Sequence, residues 1–209
     1  RMAAGDAAGA TTAFRRAADM APPAASVERA RILALLAQER MIAGAFRDAE
    51  RAAHEALEVT RAVGPEAEPE AIHVLTTLAV VQGWSDAPES ALPLLREAVE
   101  RARAAGLVEE WWRAVANQAV VLELLGRPAE AVDVTMAGMA EARELDLDAV
   151  YGNLLGGNVA GILVDVGRWP EARELSLRAL DWSPAGTPFV NAILNLVLVE
   201  IESEAGEEA

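Results

Sequence analysis

The chain has 209 residues, 53% apolar but only 4% aromatic, so its core must be built largely from alanine, leucine and valine. A net charge of −15 opposes any grip on nucleic acid or an anionic membrane, which needs a clustered positive surface. Cysteine is absent and all 18 basic residues are arginine, which removes thiolate catalysis, cysteine-held metals, disulfides, a Walker lysine and a Schiff-base lysine from this chain, and fits a reducing compartment.

In chain order, Ala7 to Met20 reads as the second helix of a hairpin, closed by Pro22-Pro23. Ser26 then caps a helix running to about Ala43, whose apolar face is Ile32, Leu35, Leu36 and Ile42. Gly44 turns the chain and Phe46 to Val63 returns it. Gly64-Pro65 and Pro69 form a linker before a helix over Ala71 to Gln82.

Asp86-Ala87-Pro88-Glu89 is the next helix start, but Pro93 would then fall too deep, so either Ser90 is the cap or the helix is kinked. Glu109 to Leu125 pairs with Ala129 to Leu145, and Asp148 to Val166 with Pro170 to Trp182. Pro184 to Pro188 precedes a last helix, Phe189 to about Glu204, which makes ten helices and no strand. No run reaches the roughly 18 apolar residues of a membrane span, because Ala149 to Val164 is interrupted by Asn153, Asn158 and glycines. A soluble, cytoplasmic segment is expected. Both ends look cut from a longer protein.

Two stretches fix the period. Gly126-Arg127-Pro128-Ala129-Glu130-Ala131 and Gly167-Arg168-Trp169-Pro170-Glu171-Ala172 begin 41 residues apart, each after an apolar helical run. Glycine ends one helix, proline fits the first turn of the next, and glutamate meets the positive helix start. A second signal is a small-residue pair seven apart in every second helix: Ala10 and Ala17, Ala49 and Ala56, Ala91 and Ala98, Ala131 and Gly138, Ala172 and Ala179. That spacing puts both members on one face, where they let the partner helix of a hairpin come close. One repeat domain over 1–209 is expected.

Few residues suggest chemistry. The glycines of Gly152 to Gly161 lie in a helical pattern without a preceding strand or a lysine, so they read as close helix contacts and as a soft helix, not as a phosphate loop. His54 and His73, the only histidines, fall on different helices of different repeats, which argues against a metal site or a nucleophile–base pair, and the 33 acids give no pair for acid–base work. No metal, cofactor or catalytic group is expected. Only one of Trp111 and Trp112 can point fully inward; the other, with Trp84, is a candidate contact, and Trp169 covers a hairpin turn.

Asn117 and Asn158 are 41 apart, with Thr77 in the corresponding place one repeat earlier. Arg113 lies four before Asn117, and His73 four before Thr77, so each pair shares a helix face. This stripe is either a set of helix-to-helix hydrogen bonds or a polar strip in a groove. The groove reading names Arg31, Gln38, His73, Thr77, Arg113, Asn117 and Asn158, with Arg113 and Asn117 at its centre and an acidic or polar group as the ligand.

The run Glu109-Glu110-Trp111-Trp112-Arg113-Ala114-Val115-Ala116-Asn117 into Leu122-Glu123-Leu124-Leu125-Gly126-Arg127, then Tyr151-Gly152 and Gly167 to Ala172, resembles tetratricopeptide repeats of the longer, roughly 40-residue kind. Those occur in large ATP-binding LuxR-type (MalT-like) bacterial transcriptional regulators. The resemblance implies an all-α, right-handed α-solenoid of antiparallel helical hairpins whose first helices line a concave face. It also implies a non-catalytic module, set between nucleotide-binding and DNA-binding domains outside this chain, that senses an inducer or protein partner without touching nucleic acid itself. A stand-alone tetratricopeptide scaffold or peptide-binding adaptor is the alternative, and an all-helical enzyme a third reading. The chain departs from the pattern at Ala53, Thr135 and Ser176, where a large residue is usual, while Phe14 and Leu95 keep it.

Overall fold

The computed structural model describes residues 12–13, 16–17, 20, 24–84, 88–147, 153–182 and 188–207. Among them run nine α-helices with no strand: α1 (Val27–Ile42), α2 (Phe46–Val63), α3 (Glu68–Gly83), α4 (Ala91–Ala105), α5 (Val108–Leu124), α6 (Pro128–Glu144), α7 (Asn153–Asp165), α8 (Trp169–Trp182) and α9 (Pro188–Glu207). The five described residues of the expected Ala7–Met20 helix are helical. The rest of that helix, with Ala10 and Phe14, lies outside the described residues, as do the turn at Asp86, the start of the Asp148 helix, Tyr151-Gly152 and the Pro184 linker.

The helix ends follow from local chemistry. Ser26 caps α1, its hydroxyl accepting from the Arg29 amide at 3.1 Å. Gly126 and Gly167 adopt left-handed φ of 69° and 76°, which lets the next amide reach back to the helix: Arg127 N–H donates to Leu122 O and Arg168 N–H to Leu163 O, both at 2.8 Å. Asp146 plays the same part after α6 at φ 57° with a side chain the conformation only tolerates, which no sequence signal announced.

One boundary differs from expectation, and one that the sequence left open is decided. The α3 helix begins at Glu68, not Ala71, because Pro69 fits its first turn at no cost in hydrogen bonds. A short 3₁₀ turn, Pro88–Ser90, precedes α4, so Ser90 is the boundary residue and Pro93 falls in the first turn, where its missing N–H has no helical acceptor to lose. The Ser90 hydroxyl does not cap α4 but donates to Gln82 Oε1 at 3.0 Å.

The chain divides into two compact units, 1–114 and 115–209, with the division inside α5. In the first, α1 pairs with α2 and α3 with α4, while α3 also packs on α1 and α2. In the second, α6 packs on α7, α7 on α8, and α9 on both α7 and α8. The small-residue pairs sit where the period puts them: Ala49, Ala56, Ala91, Ala98, Ala131, Gly138, Ala172 and Ala179 are all buried, and Ala17 is half-buried.

Their effect is measurable in the second unit. A Cβ added to Gly138 would lie 2.8 Å from Val115 Cγ1, and one added to Gly156 would lie 2.9 Å from Ala179 Cβ, so hairpins α5–α6 and α7–α8 close on hydrogen-sized side chains. Ala53, Thr135 and Ser176, where a large residue is usual, are fully buried. Small groups there keep the same close approach. Thr135 satisfies its hydroxyl on Ala131 O at 2.9 Å.

Candidate functional site

In the first unit the polar stripe, a hydrogen-bonded network with an Arg31–Glu70 pair beside it, lies on three consecutive first helices. α1 supplies Arg31 and Gln38, α3 supplies Glu70, His73 and Thr77, and the start of α5 supplies Glu110 and Arg113. These residues fall in columns set by the repeat: Arg31, Glu70 and Glu110 are 39 and 40 apart, and Gln38, Thr77 and Asn117 are spaced the same way.

His73 is the hub. Its Nδ1 lies 3.1 Å from Glu110 Oε1 and its Nε2 3.2 Å from Gln38 Oε1, so one imidazole ties α1 to α5 across α3. A doubly protonated ring donates to both oxygens; a neutral ring fits if the Gln38 amide presents its NH₂ instead. Arg113 Nη1 donates to the His73 carbonyl at 3.0 Å and Nη2 to Thr77 Oγ1 at 2.8 Å, while Thr77 donates back to His73 O at 3.0 Å.

The Arg113 side chain is 13% exposed, and burial pulls its guanidinium below the ordinary arginine value, opposed by Glu110 3.7 Å away. Arg113 is therefore committed to fastening α5 onto α3. It does not present a free two-pronged receptor for a carboxylate, the role the sequence suggested, because its donors already meet backbone and hydroxyl oxygens.

Of the seven expected residues, Gln38, His73, Thr77 and Arg113 are hydrogen-bonded into one network. Arg31 stands at its edge, 62% exposed, with Nε 2.8 Å from Glu70 Oε1. Asn117 is half-buried and Asn158 exposed, both in the second unit. The expected positive character is absent from the stripe: Glu70 and Glu110, which sequence reasoning passed over, balance Arg31 and Arg113. Each glutamate lies three residues before a named member, His73 or Arg113, and thus on the same helix face. That spacing could have found them.

A cavity of about 310 Å³ opens on this face, with Arg31, Glu70, His73 and Glu110 around an apolar floor of Ala34, Leu35 and Pro69. Elsewhere in the unit, Glu68 and Arg101 form a two-pronged pair at 2.8 Å that bridges α3 and α4; the hydrogen bond to Arg101 holds the Glu68 carboxyl below its usual range. Trp84 is 56% exposed and stacks on Phe46 with ring centroids 6.3 Å apart. Trp111 is buried and Trp112 half-buried, and Trp169 closes its turn by donating to Val164 O at 3.0 Å. His54 is exposed on α2, and no group of three or more histidine or acidic side chains able to hold a metal occurs among the described residues.

No family model matches the chain, and no curated protein matches it. The fold is nonetheless similar to that of a thermophilic TPR protein from Thermus thermophilus, with a TM-score of 0.65 and 20% identity over 95% of this chain and 93% of the other. At that identity the likeness establishes architecture alone. No helix among the described residues is long and apolar enough to cross a membrane. The fold is all-α, an α-solenoid class of antiparallel helical hairpins of tetratricopeptide type.

Proposed function

We propose that this chain is a non-catalytic protein-interaction module, a tetratricopeptide scaffold or adaptor, needing no cofactor, that receives a segment of a partner protein on the first-helix face of its first unit. The observation that carries the reading is the 310 Å³ cavity on that face, with apolar floor and polar walls, in a fold of tetratricopeptide type. A rigid helical face with its side chains already locked by His73 and Arg113 binds a flexible segment without first ordering itself.

Selection from a displayed peptide library on the immobilised chain tests this. Recovered peptides should share a motif and lose about tenfold in affinity on Leu35→Ala, with no loss on His54→Ala, which lies on the exposed surface of α2. Peptides indifferent to Leu35→Ala would overturn the reading.

The narrower regulator reading, in which an inducer or the neighbouring nucleotide-binding and DNA-binding domains are the partners, is supported by the sequence resemblance alone. The parent gene decides it. A phosphate-binding G-x-x-x-x-G-K-[ST] after a strand upstream, and a basic helix pair downstream, are what that reading requires.

A further inference from the structure

The geometry points to a basic side chain, an arginine or lysine of the partner segment, as the group that enters the cavity between α1, α3 and α5 and is held by Glu70 and Glu110. This rests on the interaction reading above and names the partner's chemistry.

Two buried acceptors argue for it. The Glu70 side chain is only 6% exposed, and its Oε2 has no hydrogen-bond partner among the described residues; Glu110 Oε2 likewise has none, standing 3.7 Å from Arg113 Nη1. Both residues line the same cavity. A buried carboxylate oxygen without a donor is costly, and a ligand that brings donors relieves the cost. An anion would meet two carboxylates instead. A divalent metal would need more oxygen or nitrogen ligands than this wall supplies, and no three-membered metal group occurs among the described residues.

The way Arg31 sits on Glu70 is the second argument. Arg101 on Glu68 and Arg168 on Glu171 each place two nitrogens on two oxygens. Arg31 instead brings both Nε and a terminal nitrogen to Oε1, at 2.8 Å each, and leaves the buried Oε2 without a donor. Being 62% exposed, Arg31 can swing into solvent at little cost, so a guanidinium or ammonium from the partner takes its place and also reaches the second oxygen. The volume suits one extended side chain, with its methylene stem over Ala34, Leu35 and Pro69.

Four pools of blocked nonapeptides, with Arg, Lys, Glu or Leu fixed at the centre and all other positions degenerate, test this by fluorescence anisotropy on the whole chain. The Arg and Lys pools should bind best. Glu70→Gln should cut their affinity by about tenfold while leaving the Leu pool unchanged, and Arg31→Ala should hold or raise it. A preference for the Glu or Leu pool, still lost on Leu35→Ala, overturns the basic side chain while the interaction reading survives. Equal loss of every pool on Glu70→Gln, with a lowered melting temperature, makes Glu70 structural and overturns the proposal. Absence of binding by all four pools overturns both readings.

Discussion

The first helices of the two units are marked by different contacts. In the first unit, α3 buries nearly its whole length and carries two fully buried threonines, each of which donates back to its own helix: Thr76 to Ile72 O at 3.1 Å and Thr77 to His73 O at 3.0 Å. Neighbouring first helices are then held at a distance set by side-chain hydrogen bonds through His73 and Arg113. In the second unit, α7 has glycine where α3 has side chains, and it closes on α8 until Gly156 faces Ala179 with no room for a Cβ. The stripe of the first unit thus runs between successive first helices, whereas the glycine contact of the second lies inside one hairpin.

That contrast breaks most visibly at Arg113. Removing the guanidinium by Arg113→Ala strips two hydrogen bonds from buried or half-buried oxygens and leaves Glu110 without its nearby cation, at a cost of about 2–3 kcal/mol. Arg113→Lys should recover little, since one ammonium cannot meet His73 O and Thr77 Oγ1 in the same fork. Urea unfolding of the three chains measures this. Equal midpoints would mean that the stripe is not what fastens α5 to α3.

The second unit offers an internal control, because one substitution should act in two directions on one helix. Gly156→Ala places a methyl group 2.9 Å from Ala179 Cβ, an atom fixed to the backbone, and overpacking should outweigh the better helix propensity, for a net loss of about 1 kcal/mol. Gly161→Ala meets nothing within 4 Å and should stabilise by about 0.5–1 kcal/mol. Melting temperatures that rise for both would remove the close contact as the reason for glycine in α7.

The parts that were legible in the sequence are those set by period. Glycine, proline and the small-residue pairs recur at fixed spacing because helix ends and helix contacts recur, so hairpin turns at Gly44, Gly126 and Gly167 could be located from residue type. The same period put Gln38, His73, Thr77 and Arg113 on one face, where hydrogen bonds join them. What it could not give was the state of each donor. Arg113 and Arg31 are the same residue type on the same face, yet one is 13% and the other 62% exposed, and burial depends on neighbours one repeat away. Charge was misjudged for a related reason: arginines on a face stand out in an acidic chain, whereas Glu70 and Glu110 are lost among 33 acids. The repeated Arg127–Glu130 and Arg168–Glu171 forks were likewise hidden, since glutamate at a helix start already has a sufficient local reason to be there.

The finest distinction between the units is electrostatic and separates by pH. In the first, Glu68 has a folded pKa held below that of the unfolded chain by Arg101, so its contribution is present at neutral pH and is lost as pH falls through the folded value. Both partners are about one-third exposed, and solvent screening keeps the contribution under about 1 kcal/mol. In the second, Glu123 is pushed the other way, first by partial burial and then by the like charge of Asp165. Its folded pKa lies above 4.5, so the proton it binds favours the folded state below that pH, and the benefit disappears as pH rises through the folded value. Glu68→Gln should thus destabilise at pH 7 and converge on wild type in acid, whereas Glu123→Gln should stabilise by about 0.2–0.5 kcal/mol at pH 7 and also converge in acid, because both carboxyls are protonated there. Denaturation midpoints from pH 3 to 8 read the two signs directly. A Glu123→Gln chain less stable than wild type at pH 7 would show that Glu123 is held by a favourable contact stronger than its repulsion from Asp165.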